Sequence, residues 1–275
     1  MEGKFIGMIV PDISNTFFSS LAAAAQEYLQ KQGFTLLICS SSNQAEEEKK
    51  HLMALQETTA GILCVSSLKE IEDNLLATDT PLVFLDRRPV NADSCLWAAN
   101  DDVEATAMAT KYLVDLGCRH ILMIPGFIAQ HHESLQEQGY IKALTEAGIE
   151  VQDEYILKRP GREKSHVEAE KMVSDFLRKE LPVDGIIASS DRSAFGALKA
   201  FRSVGVYVPE DVRMISFDDT LYAELSAPAL TSLNRQPKKL AQTACDLLLD
   251  RIAGRTDDQI VHYVPVTLEK RDSTR

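Results

Sequence analysis

No stretch of about 20 consecutive apolar residues occurs in the chain, so no segment is expected to span a membrane. The opening "MEGKFIGMIV" carries one lysine ahead of a strand-like run and has no signal-peptide pattern. Aromatic residues make up only 7%, which does not fit an aromatic-rich sheet that stacks on RNA bases. Dense basic clusters are missing as well. The longest groupings, "EEKK" and "PKK", read as solvated helix faces. With 29 Lys+Arg against 41 Asp+Glu the net charge is −12, and such a body is repelled by nucleic acid and by anionic membranes. Cysteine is scarce and scattered. Cys39, Cys64, Cys95, Cys118 and Cys245 are odd in number and lie mostly in apolar surroundings, which suits reduced buried thiols better than a disulfide framework or a zinc site. The expected compartment is the cytoplasm.

Catalytic signatures are absent too. The chain has no G-x-G-x-x-G, no phosphate loop ending in Gly-Lys-Ser/Thr and no G-x-S-x-G elbow. "HESLQ", from His132 to Gln136, approaches the H-E-x-x-H zinc pattern, but its last position is a neutral amide and a poor zinc ligand. Cys118 and His120 flank the start of a strand and read as a buried thiol and a turn histidine. No catalytic residue, metal or cofactor is expected, and the chain is not expected to be an enzyme.

What is present is a regular alternation. Short apolar runs ("FIGMIV", "FTLLIC", "GILCVS", "LVFLD", "HILMIPG", "EYILK", "DGIIASS", "VRMISFD", "ALTSLN") are separated by segments of helical period. That pattern predicts an α/β protein whose parallel strands are covered by helices on both faces. Gly33, Gly117, Gly148 and Gly205 each fall just past a helical segment, where a left-handed cap favours glycine. In the first helix Phe18, Leu21, Ala22, Ala25, Tyr28 and Leu29 form one apolar stripe, and Asn15 is placed to cap it. Phe18 is read as core. Phe17, on the stripe's edge in the first turn, fits either core or the wall of a pocket.

Polar residues recur where strands end. Asp86, Arg87 and Arg88 follow "VFL"; Ser189, Ser190 and Asp191 follow "IIA"; Asp218 and Asp219 follow "ISF"; "AAND" supplies Asn100 and Asp101. Each alone fits a helix cap or a solvated loop charge. Their repetition is the signal, because ligands of doubly wound sheets bind beyond the carboxyl ends of the strands. Carboxylates accept from pairs of hydroxyls and arginine donates from a planar fork, which suits a polyhydroxylated small molecule. With no nucleophile–base pair beside them, these residues read as a binding site.

Several of these segments also carry a resemblance. "IGMIVPDISNTFFSSL", "VFLDRRP", "YLVDLGCRHILMIPG", "GYIKALTEAGI", "GALKAFRSVGVYVPEDVRMISFDDT" and "PALTSLNRQP" occur in an order, over nearly the whole chain, that resembles the effector-binding core of LacI/GalR transcription regulators. The resemblance implies a periplasmic-binding-protein-like fold, in which two Rossmann-like lobes with parallel sheets are joined by three crossovers and a small effector sits in the cleft. Matching motifs implies an N-terminal lobe of 4–98 plus 236–264 and a C-terminal lobe of 99–234 plus 266–275. The implied effector contacts are Asn15, Phe17, Asp86, Arg87 and Asp218.

Two positions depart from the family pattern. Gln136 stands where an arginine commonly precedes Gly139–Tyr140, and Ser190 stands in place of the asparagine of "A-N-D". Both remain ligand-binding candidates, now with weaker neutral groups. This implies a less acidic effector or contacts taken over by His131, His132 or Arg162.

Family members also carry an N-terminal helix-turn-helix headpiece of about 60 residues. The sequence starts where such a segment would end, so the expectation is a core cut from a longer chain, with a naturally headless paralogue as the alternative, and operator DNA would be reached only through that missing headpiece. The implied function is a cytoplasmic, homodimeric, sugar-responsive domain that controls DNA binding allosterically. The alternative is a periplasmic sugar-binding protein of a transporter. The absent signal peptide, the unpaired cysteines and the "PEDVRMISFDDT…PALTSL" stretch count against it.

Overall fold

A computed structural model describes residues 5–126, 135–158, 165–255 and 257–275. Chain contacts divide it into two compact units, one comprising residues up to Asn100 with Gln236–Pro265, the other Asp101–Arg235 with Val266–Arg275. The chain therefore passes between units at three places, 100/101, 235/236 and 265/266.

The first unit contains β1 (Phe5–Val10), α1 (Thr16–Lys31), β2 (Thr35–Ser40), α2 (Ala45–Thr58), β3 (Ile62–Cys64), α3 (Asp73–Leu76), β4 (Leu82–Leu85) and β5 (Trp97–Ala99). The second unit runs α4 (Asp102–Asp115), β6 (Ile121–Ile124), α5 (Leu135–Glu146), α6 (Ser165–Leu177), β7 (Gly185–Ala188), α7 (Asp191–Ser203), β8 (Arg213–Phe217), α8 (Leu221–Leu225) and β9 (Thr231–Asn234). The chain then returns to the first unit for α9 (Pro237–Ile252) and β10 (Val261–Tyr263), and ends in the second with β11 (Thr267–Glu269).

The first sheet has the order β10-β5-β4-β3-β1-β2 with every neighbouring pair parallel. The second has the order β11-β9-β8-β7-β6, parallel except for antiparallel β11. Parallel strands joined through helices must bury both faces, and β6 and β7 are buried along their whole length. The stripe on α1 packs as its spacing predicts, with Phe18, Leu21, Ala22, Ala25 and Leu29 all buried. All four glycines expected to cap helices adopt positive φ.

Some short elements differ from expectation. "EYILK" forms one 3-10 turn and a single bridge from Ile156 to Met123 rather than a strand. The three-residue strands β5, β10 and β11 have no apolar run long enough to betray them. A close helix contact explains Gly139. A Cβ there would lie 2.2 Å from the Val103 carbonyl oxygen, so glycine lets α5 pack directly on α4. Tyr140 next to it donates its hydroxyl to the Ile121 carbonyl at 2.6 Å and ties α5 to β6. No helix among the described residues is long and apolar enough to cross a membrane.

Candidate functional site

Parallel strands put all their carboxyl ends on one edge of a sheet, so the polar residues after β1, β3 and β4 are brought together. Asn15 caps α1, its side-chain oxygen accepting from the Phe17 N–H at 3.0 Å. Capping of this kind adds about 1 kcal/mol and still leaves the amide NH2 as a donor. Asp86 follows β4 with φ 66°, a left-handed conformation uncommon outside glycine, and donates its N–H to the Ala98 carbonyl at 2.8 Å. Its carboxylate is buried, and Arg87 Nε lies 3.7 Å from Oδ2. The Arg87 guanidinium in turn sits 5.3 Å from the centroid of the Phe18 ring, close enough for a cation–π attraction of about 0.5–1 kcal/mol.

Phe17 differs from the expectation of an available ring. It is only 2% exposed and belongs to the same core cluster as Phe18, packed edge-on against it at 5.6 Å. Both rings fill the core because the first turn of α1 rests on the sheet, and the Arg87 guanidinium lies over the Phe18 ring.

In the same unit, Glu48 gives no sign in its charge pattern of the place it takes. Glu48 lies in the "EEKK" run read as a solvated face. Glu47 does pair with Lys50 in the open, whereas Glu48 is fully buried. Its carboxylate accepts from the hydroxyl of Ser66 and from the Ser67 N–H at 2.7 Å, pinning the loop after β3. Burial pushes its pKa above the usual glutamate value despite those hydrogen bonds. The signal was available in the spacing, because Glu48, Leu52 and Leu55 share one face of α2 and all are buried.

The second unit repeats the arrangement at its own carboxyl edge. Asp218 follows β8 with φ 98° and donates its N–H to the Leu233 carbonyl at 3.1 Å. Its carboxylate is buried, and Arg235 Nη1 lies 3.7 Å from Oδ1. Asp219, also at positive φ, accepts from Asn234 Nδ2 at 2.9 Å and pairs with Arg271 at 2.7 Å. Ser190 is the side-chain cap of α7, accepting from the Ser193 N–H at 3.1 Å.

Asp191 is almost fully buried and collects four hydrogen bonds. Ser216 Oγ donates at 2.6 Å, Ser232 Oγ at 3.1 Å, and both the N–H and the hydroxyl of Thr220 donate at 2.7 Å. Burial raises its pKa, with the hydrogen bonds pulling the other way. Gln136 is buried on α5 and accepts from the Gly126 N–H at 3.2 Å, so its amide is anchored to the loop after β6.

Asn100 and Asp101 take structural roles at the first passage between units. Asn100 donates to the Val264 carbonyl at 2.8 Å, and Asp101 caps α4. All five cysteines are free thiols, and burial pushes Cys245 up to about 12. Among the described residues no group of three or more His, Cys, Asp or Glu is placed to hold a metal ion. His131, His132 and Arg162, named as possible substitute contacts, lie outside the described residues, as does most of "HESLQ".

Comparison with known proteins decides what kind of molecule carries these edges. A family model described as a periplasmic binding protein-like domain matches residues 110–274. The HTH-type transcriptional repressor PurR of Glaesserella parasuis serovar 5 (strain SH0165) is 30% identical over 277 residues, covering 97% of this chain and 78% of the repressor. The chain belongs to the LacI/GalR family.

Solved LacI/GalR relatives superpose closely. A periplasmic binding protein/LacI transcriptional regulator from Alkaliphilus metalliredigens QYMF, complexed with D-xylulofuranose, has a TM-score of 0.86 at 29% identity over 99% of this chain and 100% of that one. A LacI family regulator from Enterococcus faecium with bound ribose has a TM-score of 0.84 at 27% identity over 98% of both chains. The fold is the two-sheet, periplasmic-binding-protein-like architecture of LacI/GalR cores. The chain is the effector-binding domain of a transcription regulator and not the binding component of a transporter. Its relatives are named as regulators rather than enzymes.

Proposed function

We propose that this LacI/GalR domain binds a small polyhydroxylated effector, a sugar or sugar derivative, through the carboxyl edges of both units. The observation that carries the proposal is a repeated motif. Asp86 and Asp218 each follow a parallel strand at positive φ, each is buried, and each has an arginine 3.7 Å from one carboxylate oxygen. Two carboxylates accept from four or more hydroxyls and the Arg87 guanidinium returns donors, a set matched by a polyol. Asn15, Arg87, Gln136 and Ser190 complete the contacts. A neutral amide at Gln136 favours an uncharged sugar over an acidic one. The D-xylulofuranose and ribose held by the two solved relatives support a ligand of that class.

The mechanism follows from population shift. An effector that contacts both edges favours the conformation in which both reach it, and the coupling to operator binding equals its differential affinity, typically about 1–3 kcal/mol. The regulator works in the cytoplasm as a homodimer. With a net charge of −12 these residues themselves are poorly suited to holding DNA. Support for dimerisation comes from exposed apolar side chains, with Leu37 and Ile38 on edge strand β2 and Leu221, Tyr222 and Leu225 on α8. Sedimentation velocity is expected to show dimers that Leu221→Lys with Leu225→Glu converts to monomers; unchanged sedimentation would remove α8 from the interface.

A thermal-shift panel of neutral sugars, sugar phosphates and nucleosides tests the proposal. A true effector at about 100 times its dissociation constant adds about 2.7 kcal/mol of stability. Neutral sugars are expected to raise the melting temperature, and a response to sugar phosphates or nucleosides alone would refute the ligand class.

A further inference from the structure

Arg235 holds a place that the rest of the site does not explain. It is the last residue of the second unit before the chain crosses at 235/236, yet its side chain is only 9% exposed. Its guanidinium lies between two carboxylates, with Nη1 3.7 Å from Asp218 Oδ1 and Nη2 3.7 Å from Asp102 Oδ1. Asp102 opens α4, the second residue after the crossing at 100/101. At 3.7 Å the charges attract, so the guanidinium serves both carboxylates.

The first unit supplies the parallel case. Arg87 stands 3.7 Å from the Asp86 carboxylate, and Asp86 has the same left-handed backbone and the same N–H donation to the next strand. There the arginine follows its aspartate directly; in the second unit the equivalent charge arrives from the end of β9. Sequence adjacency reveals the first pair and conceals the second.

We propose that Arg235 is the positioning residue of Asp218. Its charge keeps the carboxylate aimed at the ligand, and its second contact with Asp102 ties ligand occupancy at Asp218 to two of the three crossings. The proposal rests on the reading of Asp218 as an effector contact. When hydroxyls of a sugar engage Asp218, part of its negative charge is satisfied and its attraction for the guanidinium weakens relative to that of Asp102. No covalent step is involved. Neighbouring charges on the same turn are accounted for separately, because Asp219 is held by Asn234 and Arg271 and Asp191 by Thr220 and two serines.

The test uses Arg235→Gln, Arg235→Lys, Asp218→Asn and the Arg235→Gln/Asp218→Asn double variant of the full chain. Without ligand, Arg235→Gln lowers the melting temperature because the buried Asp218 and the half-buried Asp102 carboxylates lose the cation between them, and the added Asp218→Asn restores part of the loss. In calorimetric titration with D-ribose, Arg235→Gln weakens binding by about tenfold or more, while Arg235→Lys, which keeps the charge, stays near the parent. Additive melting effects would overturn the pairing, with or without ligand. Ribose binding lost in Asp218→Asn but unchanged in Arg235→Gln would overturn the positioning role while leaving the site intact. Ribose binding unchanged in Asp218→Asn would instead remove Asp218 from the site, and the melting cycle would still decide the pairing.

Discussion

Replacing Asp191 by alanine and by asparagine separates the two roles its carboxylate could have. Alanine removes an acceptor that serves Ser216, Ser232 and both donors of Thr220. The two serine hydroxyls still reach each other at 2.9 Å, so the group left stranded is the Thr220 N–H. A buried unsatisfied donor costs about 1–3 kcal/mol, and the void left by the carboxylate adds about 1 kcal/mol. The sum, about 2–4 kcal/mol, corresponds to roughly 5–15 °C in melting temperature for domains of this size. Asparagine keeps the shape. Its oxygen can accept from the Thr220 N–H while its NH2 faces hydroxyls able to turn and accept, so the expected loss at pH 7 is under about 1 kcal/mol.

The pH dependence carries a sign. The folded pKa of Asp191 lies above the unfolded value of 3.8, so the folded protein binds more protons in the window between them. Stability from this group is therefore greatest below the window and falls as pH rises through it. Thermal melts from pH 3.5 to 8 should show the parent losing ground to Asp191→Asn as pH rises. Alanine and asparagine variants of equal stability, or a parent that gains on Asp191→Asn with pH, would refute the reasoning.

Glu48→Gln follows the same sign in the other unit. Because burial raises the Glu48 pKa, the variant should flatten the decline in stability above pH 4.5, measured by urea unfolding at several pH values. Gly139→Ala puts a methyl group 2.2 Å from the Val103 carbonyl, where ordinary contact begins near 3.4 Å, so α4 and α5 must part by about 1 Å. Overpacking of about 1–3 kcal/mol opposes a helix-propensity gain of about 1 kcal/mol, and a net loss in melting temperature is expected rather than a gain.

Much of the architecture was legible because parallel βα repeats leave a strong trace in sequence. The strand cores within "FIGMIV" and "HILMIPG", from Ile6 to Val10 and from Ile121 to Ile124, are buried on both faces, and the stripe on α1 could be read residue by residue. The short strands β5, β10 and β11 were not legible, since three residues carry no periodicity and owe their pairing to neighbours distant in sequence. At the site, the Asp86–Arg87 pair could be read because the two residues are adjacent. The Asp218–Arg235 pair could not, because strand pairing rather than sequence brings β9 beside β8. Charge patterning misplaced Glu48, which shares its helix face with Leu52 and Leu55 instead of with its acidic neighbours. Phe17 was ambiguous by angle alone, and only the packing of the first turn resolved it into the core.

The most direct test of the account is calorimetric titration of the parent, Asp86→Ala and Asp218→Ala with the neutral sugar that most raises the parent's melting temperature. One ligand per chain is expected for the parent. Each variant should lose binding while keeping its circular-dichroism spectrum and cooperative melt. Undiminished affinity in both variants would contradict the account, because no effector gripped by this pair of buried carboxylates could ignore the loss of either.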